Sequence, residues 1–393
     1  MPPVPLSVLD LVPVSSGSDV SAALRGTLEL ARAVEEFGYR RYWLAEHHLN
    51  PGVVSTAPAL LIQAVARATS RLRVGSGAVL LGHRTPLSVV EQFGLLDALF
   101  PGRIDLGVGR SGLPRTPAAP ASEPASAPVS APALATASAS AAAQDRGTFT
   151  DEGLYLPPRF TGFARLLRSP RFRLQLGLLQ QPGARTPPYE EQIADLLALL
   201  AGTYADEAGV PARAVPGSGA DVEVWILGSS GGESARVAGA NGLPFAANYH
   251  VSPSSVIEAV EGYRAAFRPS AALAEPYVAV SADVVVAPED DTARRLAAGY
   301  GLWVRSIRSG AGAIEFPTPE EADAHVWTEE DRALVADRLD TQFVGAPETV
   351  VERLNVLQRA TGADELVITT ITHDPADRVR SYELLARAWQ KQA

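Results

Sequence analysis

The chain has 393 residues, of which 46% are hydrophobic, and carries a formal net charge of -10. That balance leaves no basic surplus for the phosphates of a nucleic acid or for an anionic membrane surface. There is no cysteine, so disulfides, thiolate metal sites and cysteine nucleophiles are excluded, and any redox chemistry has to come from a cofactor.

The start, Pro2-Pro3-Val4-Pro5-Leu6, with no basic residue before Arg25, lacks the charged beginning and apolar middle of a signal peptide. Apolar runs such as Leu196 to Ala201 are far shorter than the roughly 20 residues of a membrane span. A cytoplasmic protein is expected.

In chain order, Leu6 to Val14 reads as a strand-like run containing Asp10, followed by Ser15-Ser16-Gly17-Ser18-Asp19 as loop and helix cap. Leu24, Leu28, Ala31, Val34 and Phe37 recur at helical spacing, and Gly38 stops the helix. The pattern repeats with Tyr42 to Ala45 as strand and Ala57 to Ala68 as helix, then with Leu72 to Leu81 and Ser88 to Leu99. Pro101-Gly102-Arg103 turns into Ile104 to Val108. Strands alternating with helices indicate parallel pairing, since each crossover returns the chain to the same end. Periodicity alone leaves a barrel and an open doubly wound sheet both possible, although no GxGxxG turn follows the first strand.

From Pro114 to Ala143 the composition collapses to little besides Ala, Pro, Ser and Thr, which predicts a mobile surface excursion: a tolerated insertion, or a lid as the second possibility. The alternation then resumes. Tyr189 to Leu200 is a helix, Val222 to Leu227 a strand, and Gly228-Ser229-Ser230-Gly231-Gly232-Glu233-Ser234 a turn into a helix through Ala240. Phe245 to Ala247, Tyr277 to Val286 and Glu365 to Thr370 complete eight strands, with Val256 to Phe267 helical and the last helix starting near Pro347. The expectation is one (β/α)8 TIM barrel domain over residues 1–393. It carries insertions after strands 4 and 7, a low-complexity one at about 113–146 and a partly helical one at about 292–343.

The chemistry concentrates where Tyr42-Trp43-Leu44-Ala45 ends in Glu46-His47-His48, a strand running out into a pocket. Adjacent strand residues point to opposite faces, so only one histidine need face that pocket. No HxH or HExxH spacing accompanies them, and no metal site is expected. Gly75-Ser76-Gly77-Ala78 offers small side chains at the end of the third strand, where a flat ligand can approach the backbone or a plain turn can form. Arg110, after Ile104 to Gly109, is either a phosphate fork or a surface ion pair. The Gly228 to Ser234 loop opens a helix whose N–H groups and dipole favour an anion. In a barrel, Arg110 and this loop share one rim and can grip the same phosphate. Trp303 is read as filling the core, with lining the pocket as the second possibility.

These motifs together resemble the bacterial luciferase-like flavin monooxygenases. The resemblance rests on Leu9 to Pro13, Trp43-Leu44-Ala45-Glu46-His47-His48, Val74 to Gly77, Glu91-Gln92-Phe93-Gly94 and Pro101 to Arg110. It continues in Trp225 to Ser230, Gly242 to Phe245 and Gly362 to Glu365. It implies a barrel that binds FMN, reduced by a separate reductase, and uses O2 to oxidise a small organic substrate. It further implies His47 as the catalytic histidine and Arg110 on the phosphate; His83 and His250 are weaker rim candidates that the resemblance does not supply. Gly228, Ser229, Ser230, Gly231 and Ser234 form the phosphate loop, and Tyr249 stands beside the flavin ring. Gly77 and Ala78 lie where relatives hold a non-proline cis peptide against the flavin. A homodimer is the implied assembly. Related barrels that pass hydride to a deazaflavin, and non-catalytic flavin-binding subunits, are the alternatives. The phosphate loop here is one residue longer than the common form, the low-complexity stretch replaces a tidier segment after Arg110, and Gly109 stands where some luciferases have cysteine. Light emission is not implied.

Overall fold

A computed structural model describes residues 3–110, 147–162, 166 and 169–392. Eight parallel strands close on themselves: β1 (Leu6–Asp10), β2 (Arg41–Leu44), β3 (Arg73–Ser76), β4 (Ile104–Gly109), β5 (Glu223–Gly228), β6 (Phe245–Asn248), β7 (Val278–Val286) and β8 (Glu365–Thr369). Each pairs with the next, and β8 returns to β1 through Leu6 opposite Leu366, so the eight close into a barrel, with a short extra strand, Phe343–Gly345, paired in parallel on the end of β7. The open-sheet possibility is thereby removed.

The strands are apolar on both faces because both are covered. Outward residues such as Val8, Tyr42, Ile226 and Leu366 pack under the helices. These are α1 (Val20–Phe37), α2 (Pro58–Ala68), α3 (Pro86–Leu99), α4 (Tyr189–Ala201), α5 (Glu233–Ala240), α6 (Val256–Ala266), α7 (Pro347–Thr361) and α8 (Pro375–Gln390). The first helix ends as its sequence requires: the Asp19 carboxylate accepts from the Ala22 N–H, and Gly38 takes a left-handed φ of 87°. The last helix is α8, not the one starting at Pro347, which is the crossover before β8.

Inward residues form a second core. Trp43 and Trp225 meet edge to face at 4.9 Å, opposite the small Ala246 and Ala279. Beneath them, at the N-terminal ends of the strands, buried Arg41 bridges Asp105 (2.9 Å), Glu223 (3.0 Å) and Glu365 (3.1 Å). This charge cluster plugs the bottom of the barrel and leaves the C-terminal end as the open one.

Three strands stop earlier than their apolar runs suggest. β1 ends at Asp10 because Val12 turns to φ 54°, with its N–H bonded to the Asp10 carboxylate. β2 ends at Leu44, where the chain turns outward and the His47 N–H donates to the Ser55 carbonyl (2.7 Å). The third run is divided into β3 and a short piece, Val79–Leu80, by a cis peptide at Gly77-Ala78, and both pieces pair with β4. The 292–343 region is helical over much of its length, in Asp290–Leu296, Tyr300–Arg308, Pro319–Asp323 and Glu329–Asp340. The Pro114 to Ala143 stretch, read as a mobile excursion or lid, lies outside the described residues.

Candidate active site

A cavity of about 400 Å³ opens at the C-terminal ends of the strands. Leu9, Leu11, Leu80, Leu227 and Ile371 give it an apolar wall, and Glu46, His47, Arg110, Glu233, Asn248, His250, Asp283 and Arg338 supply its polar groups. Such a mixture of apolar lining and a few convergent polar groups suits a small-molecule site.

His47 lines this cavity, and its Nδ1 has no hydrogen-bond partner among the described residues. Burial pushes it down to about 4, the neighbouring His48 adds to that fall, and Glu46 opposes it. His47 is therefore a neutral imidazole at pH 7. His48 faces elsewhere: its Nε2 meets Glu46 Oε1 at 2.9 Å. Glu46 is a hub, accepting also from Arg84 (2.7 Å) and from the Leu80 N–H (2.9 Å), and so ties the end of β2 to the segment after the cis peptide. The two histidines differ because they follow the strand's end, where the outward turn, rather than strand alternation, sets their directions.

Gly77 and Ala78 line the floor. A Cβ on Gly77 would lie 2.8 Å from Leu9 Cδ1, so this backbone packs directly on the barrel interior. Across the cavity, Arg110 pairs with Glu233 at 2.7 Å, and Gly228, Ser229, Ser230 and Ser234 line the same rim at the start of α5. The loop is held from behind by Ser255, whose hydroxyl donates to the Ser229 carbonyl at 2.6 Å.

Two expected cofactor residues do not line the cavity. Gly231 is pressed on α6, where an added Cβ would lie 2.7 Å from the Glu258 carbonyl oxygen. Tyr249 points outward: its hydroxyl donates to the Tyr155 carbonyl (2.7 Å) and its ring lies 5.9 Å from Phe343. Alternation at the end of β6 explains this, because Asn248 and His250 line the cavity and Tyr249 between them cannot. His250 is pushed down to about 3, chiefly by burial and then by Arg338 and His47. His83 is also lowered by burial, but it does not line the cavity.

The sequence reading missed a polar cluster on the far wall. Arg338 donates to Tyr300 Oη at 2.6 Å and to Asp283 at 3.2 Å, and the Tyr300 hydroxyl donates to Asp283. Burial raises Asp283 above the usual carboxylate range, against Arg338 and Tyr300. Trp303, stacked at 6.0 Å on Tyr300, is buried as expected but lines the cavity too. Asp283 was visible in principle as one carboxylate inside the apolar run Val278–Val286, whereas Arg338 lies in a helix full of charges and gives no such sign. Among the described residues, no group of three His, Asp or Glu is placed to hold a metal ion.

With a closed eight-stranded barrel and its site at the C-terminal rim, the comparisons with known proteins are consistent. The family model for luciferase-like monooxygenases matches residues 4–126 and 182–365, and the chain belongs to that family. It is similar to the uncharacterized protein YvbT of Bacillus subtilis (strain 168), 35% identical over 98% of this chain and 96% of the relative. A luciferase-like monooxygenase of Escherichia coli (strain K12) is 31% identical over 97% and 96%. Among solved structures, apo-MsnO8 superposes with a TM-score of 0.75 at 30% identity, covering 98% of each chain. Two more distant ones share the fold: the oxygenating constituent of 3,6-diketocamphane monooxygenase of Pseudomonas putida in complex with FMN (20% identity, TM-score 0.63, covering 99% of this chain and 98% of that one), and an F420-dependent secondary alcohol dehydrogenase (14%, 0.58, covering 99% of each).

Proposed function

We propose that this chain is an FMN-dependent monooxygenase that receives reduced FMN from a separate reductase and uses O2 to oxidise a small organic substrate. The observation that carries the reading is the shared cavity. An anion-binding rim made by Arg110, Ser229, Ser230 and Ser234 at the start of α5 faces the same space as neutral His47 and an apolar wall. That donor set fits a flavin phosphate, and Gly77, Ala78, Leu9 and Leu227 fit a flat apolar ring. Reduced FMN, when bound, supplies the electrons with which O2 delivers one atom to substrate and one to water. The apolar wall excludes water from that chemistry. His47, neutral and lining this space, is the group that holds or accepts a proton there.

A deazaflavin in the same cavity is the runner-up reading, since an F420-dependent enzyme shares the fold. The phosphate assignment is tested with an Arg110→Ala, Ser230→Ala double variant. Loss of charge-assisted bonds is expected to weaken FMN binding on the order of 10²-fold. Unchanged affinity, measured by flavin fluorescence quenching, rules the assignment out.

A further inference from the structure

We propose that His250 is a specificity-determining residue: its Nε2, kept as a bare acceptor by Ser281, takes an O–H or N–H donor carried by the substrate. The proposal names the kind of group the cavity recognises and rests on reading that cavity as the substrate site.

The arrangement starts in β7. Val278, Val280, Ala282 and Val284 pack outward under the helices, whereas Ala279 belongs to the inner core. Strand alternation therefore turns Ser281 and Asp283 inward, the two polar residues of an otherwise apolar run. Register places Ser281 opposite Asn248, and just past that pair the His250 N–H donates to the Ser281 carbonyl at 3.2 Å. The same two residues meet again through their side chains, with His250 Nδ1 lying 2.5 Å from Ser281 Oγ.

A hydroxyl has one proton, and its place sets that of the imidazole. Ser281 Oγ donates to the Ala247 carbonyl at 3.3 Å, an oxygen that only accepts. Oγ then takes the Nδ1–H of His250 and both bonds are made; the reverse, with the hydroxyl donating to Nδ1, forfeits the first. A neutral imidazole carries a single N–H, so Nε2 is left with its lone pair. Burial, then Arg338, hold the ring neutral, pushed down to about 3, and the lone pair persists at pH 7.

His250 is partly exposed and lines the cavity. Nε2 is the nitrogen left to face it and, in contrast to His47 Nδ1, is not closed off from solvent. No described residue donates to it. An acceptor in a pocket that excludes water needs a donor from the ligand. The positive potential of Arg338 at this ring disfavours a cationic donor, which leaves neutral hydroxyl and amide N–H groups. His47 also bears on the protonation of His250, so the two imidazoles share one region of the cavity.

Heteronuclear NMR of the full chain, isotope-labelled in histidine and without flavin, reads the tautomer directly, with the His250 signals assigned by their loss in His250→Asn. The expected result is a protonated Nδ1 and a bare Nε2 at pH 7, shifting toward protonated Nε2 in Ser281→Ala. Titration then compares cyclohexanol, which donates, with cyclohexanone, which cannot. Cyclohexanol is expected to move the Nε2 signal saturably and cyclohexanone to leave it in place. In His250→Asn, whose shorter amide still reaches Ser281, calorimetry should show cyclohexanol affinity reduced about 3- to 10-fold. A protonated Nε2 in the parent chain, an Nε2 signal unmoved by cyclohexanol, an equal shift with cyclohexanone, or unchanged cyclohexanol affinity in His250→Asn overturns the proposal. None of these readouts needs flavin, so failure of the FMN reading, measured by flavin titration, is told apart from failure of the acceptor.

Discussion

His47 and His250 are both buried imidazoles held neutral, down to about 4 and about 3 respectively. In the unfolded chain both would titrate near 6.5, so between about pH 6.5 and 4 the unfolded state binds more protons than the folded one. Their neutrality is thus compatible with full stability above pH 6.5, and stability is lost as pH falls across that window. A His47→Gln, His250→Asn double variant should show a flatter dependence of Tm on pH between 6.5 and 4 than the parent chain. Equal slopes would contradict the burial assigned to these rings. The same neutrality gives His47 its chemical character: it offers a lone pair or a single N–H at pH 7, not a standing positive charge.

The element on which the cofactor reading turns is the start of α5. Its first-turn carboxylate, Glu233, is stabilised by the helix dipole and by Arg110, the same two sources of positive potential that a phosphate would use. Glu233 thus competes with a bound phosphate. Glu233→Gln should tighten FMN binding about 3- to 10-fold at low salt, less at high salt, because the pair is partly exposed. Unchanged or weaker binding in a flavin titration would place the phosphate elsewhere. This rim was legible in the sequence as glycines and serines ahead of a helix. Glu233 was in plain view within the loop, yet its competition with a phosphate followed only once Arg110 was seen beside it. The Tyr249 assignment erred at the same scale: position alone suggested an aromatic beside the flavin, but alternation at the end of β6 turns Tyr249 outward and presents Asn248 and His250.

At the scale of the molecule, the eight strands were legible because each is an apolar run covered on both faces, with helices between at regular spacing. What escaped was everything set by distant pairing. The Arg41 cluster joins residues from four strands, and the Arg338, Asp283 and Tyr300 cluster joins two helices to β7; no local pattern announces either. The second cluster completes the cavity, so the helical region after β7 is part of the site's wall and not an appendage. The most direct test of the account is an anaerobic absorbance titration with reduced FMN and, in parallel, with a reduced deazaflavin, followed by admission of oxygen. The expected result is saturable binding of reduced FMN with oxygen uptake by the complex and no binding of the deazaflavin; saturable binding of the deazaflavin that FMN cannot displace, or binding of neither, would contradict it.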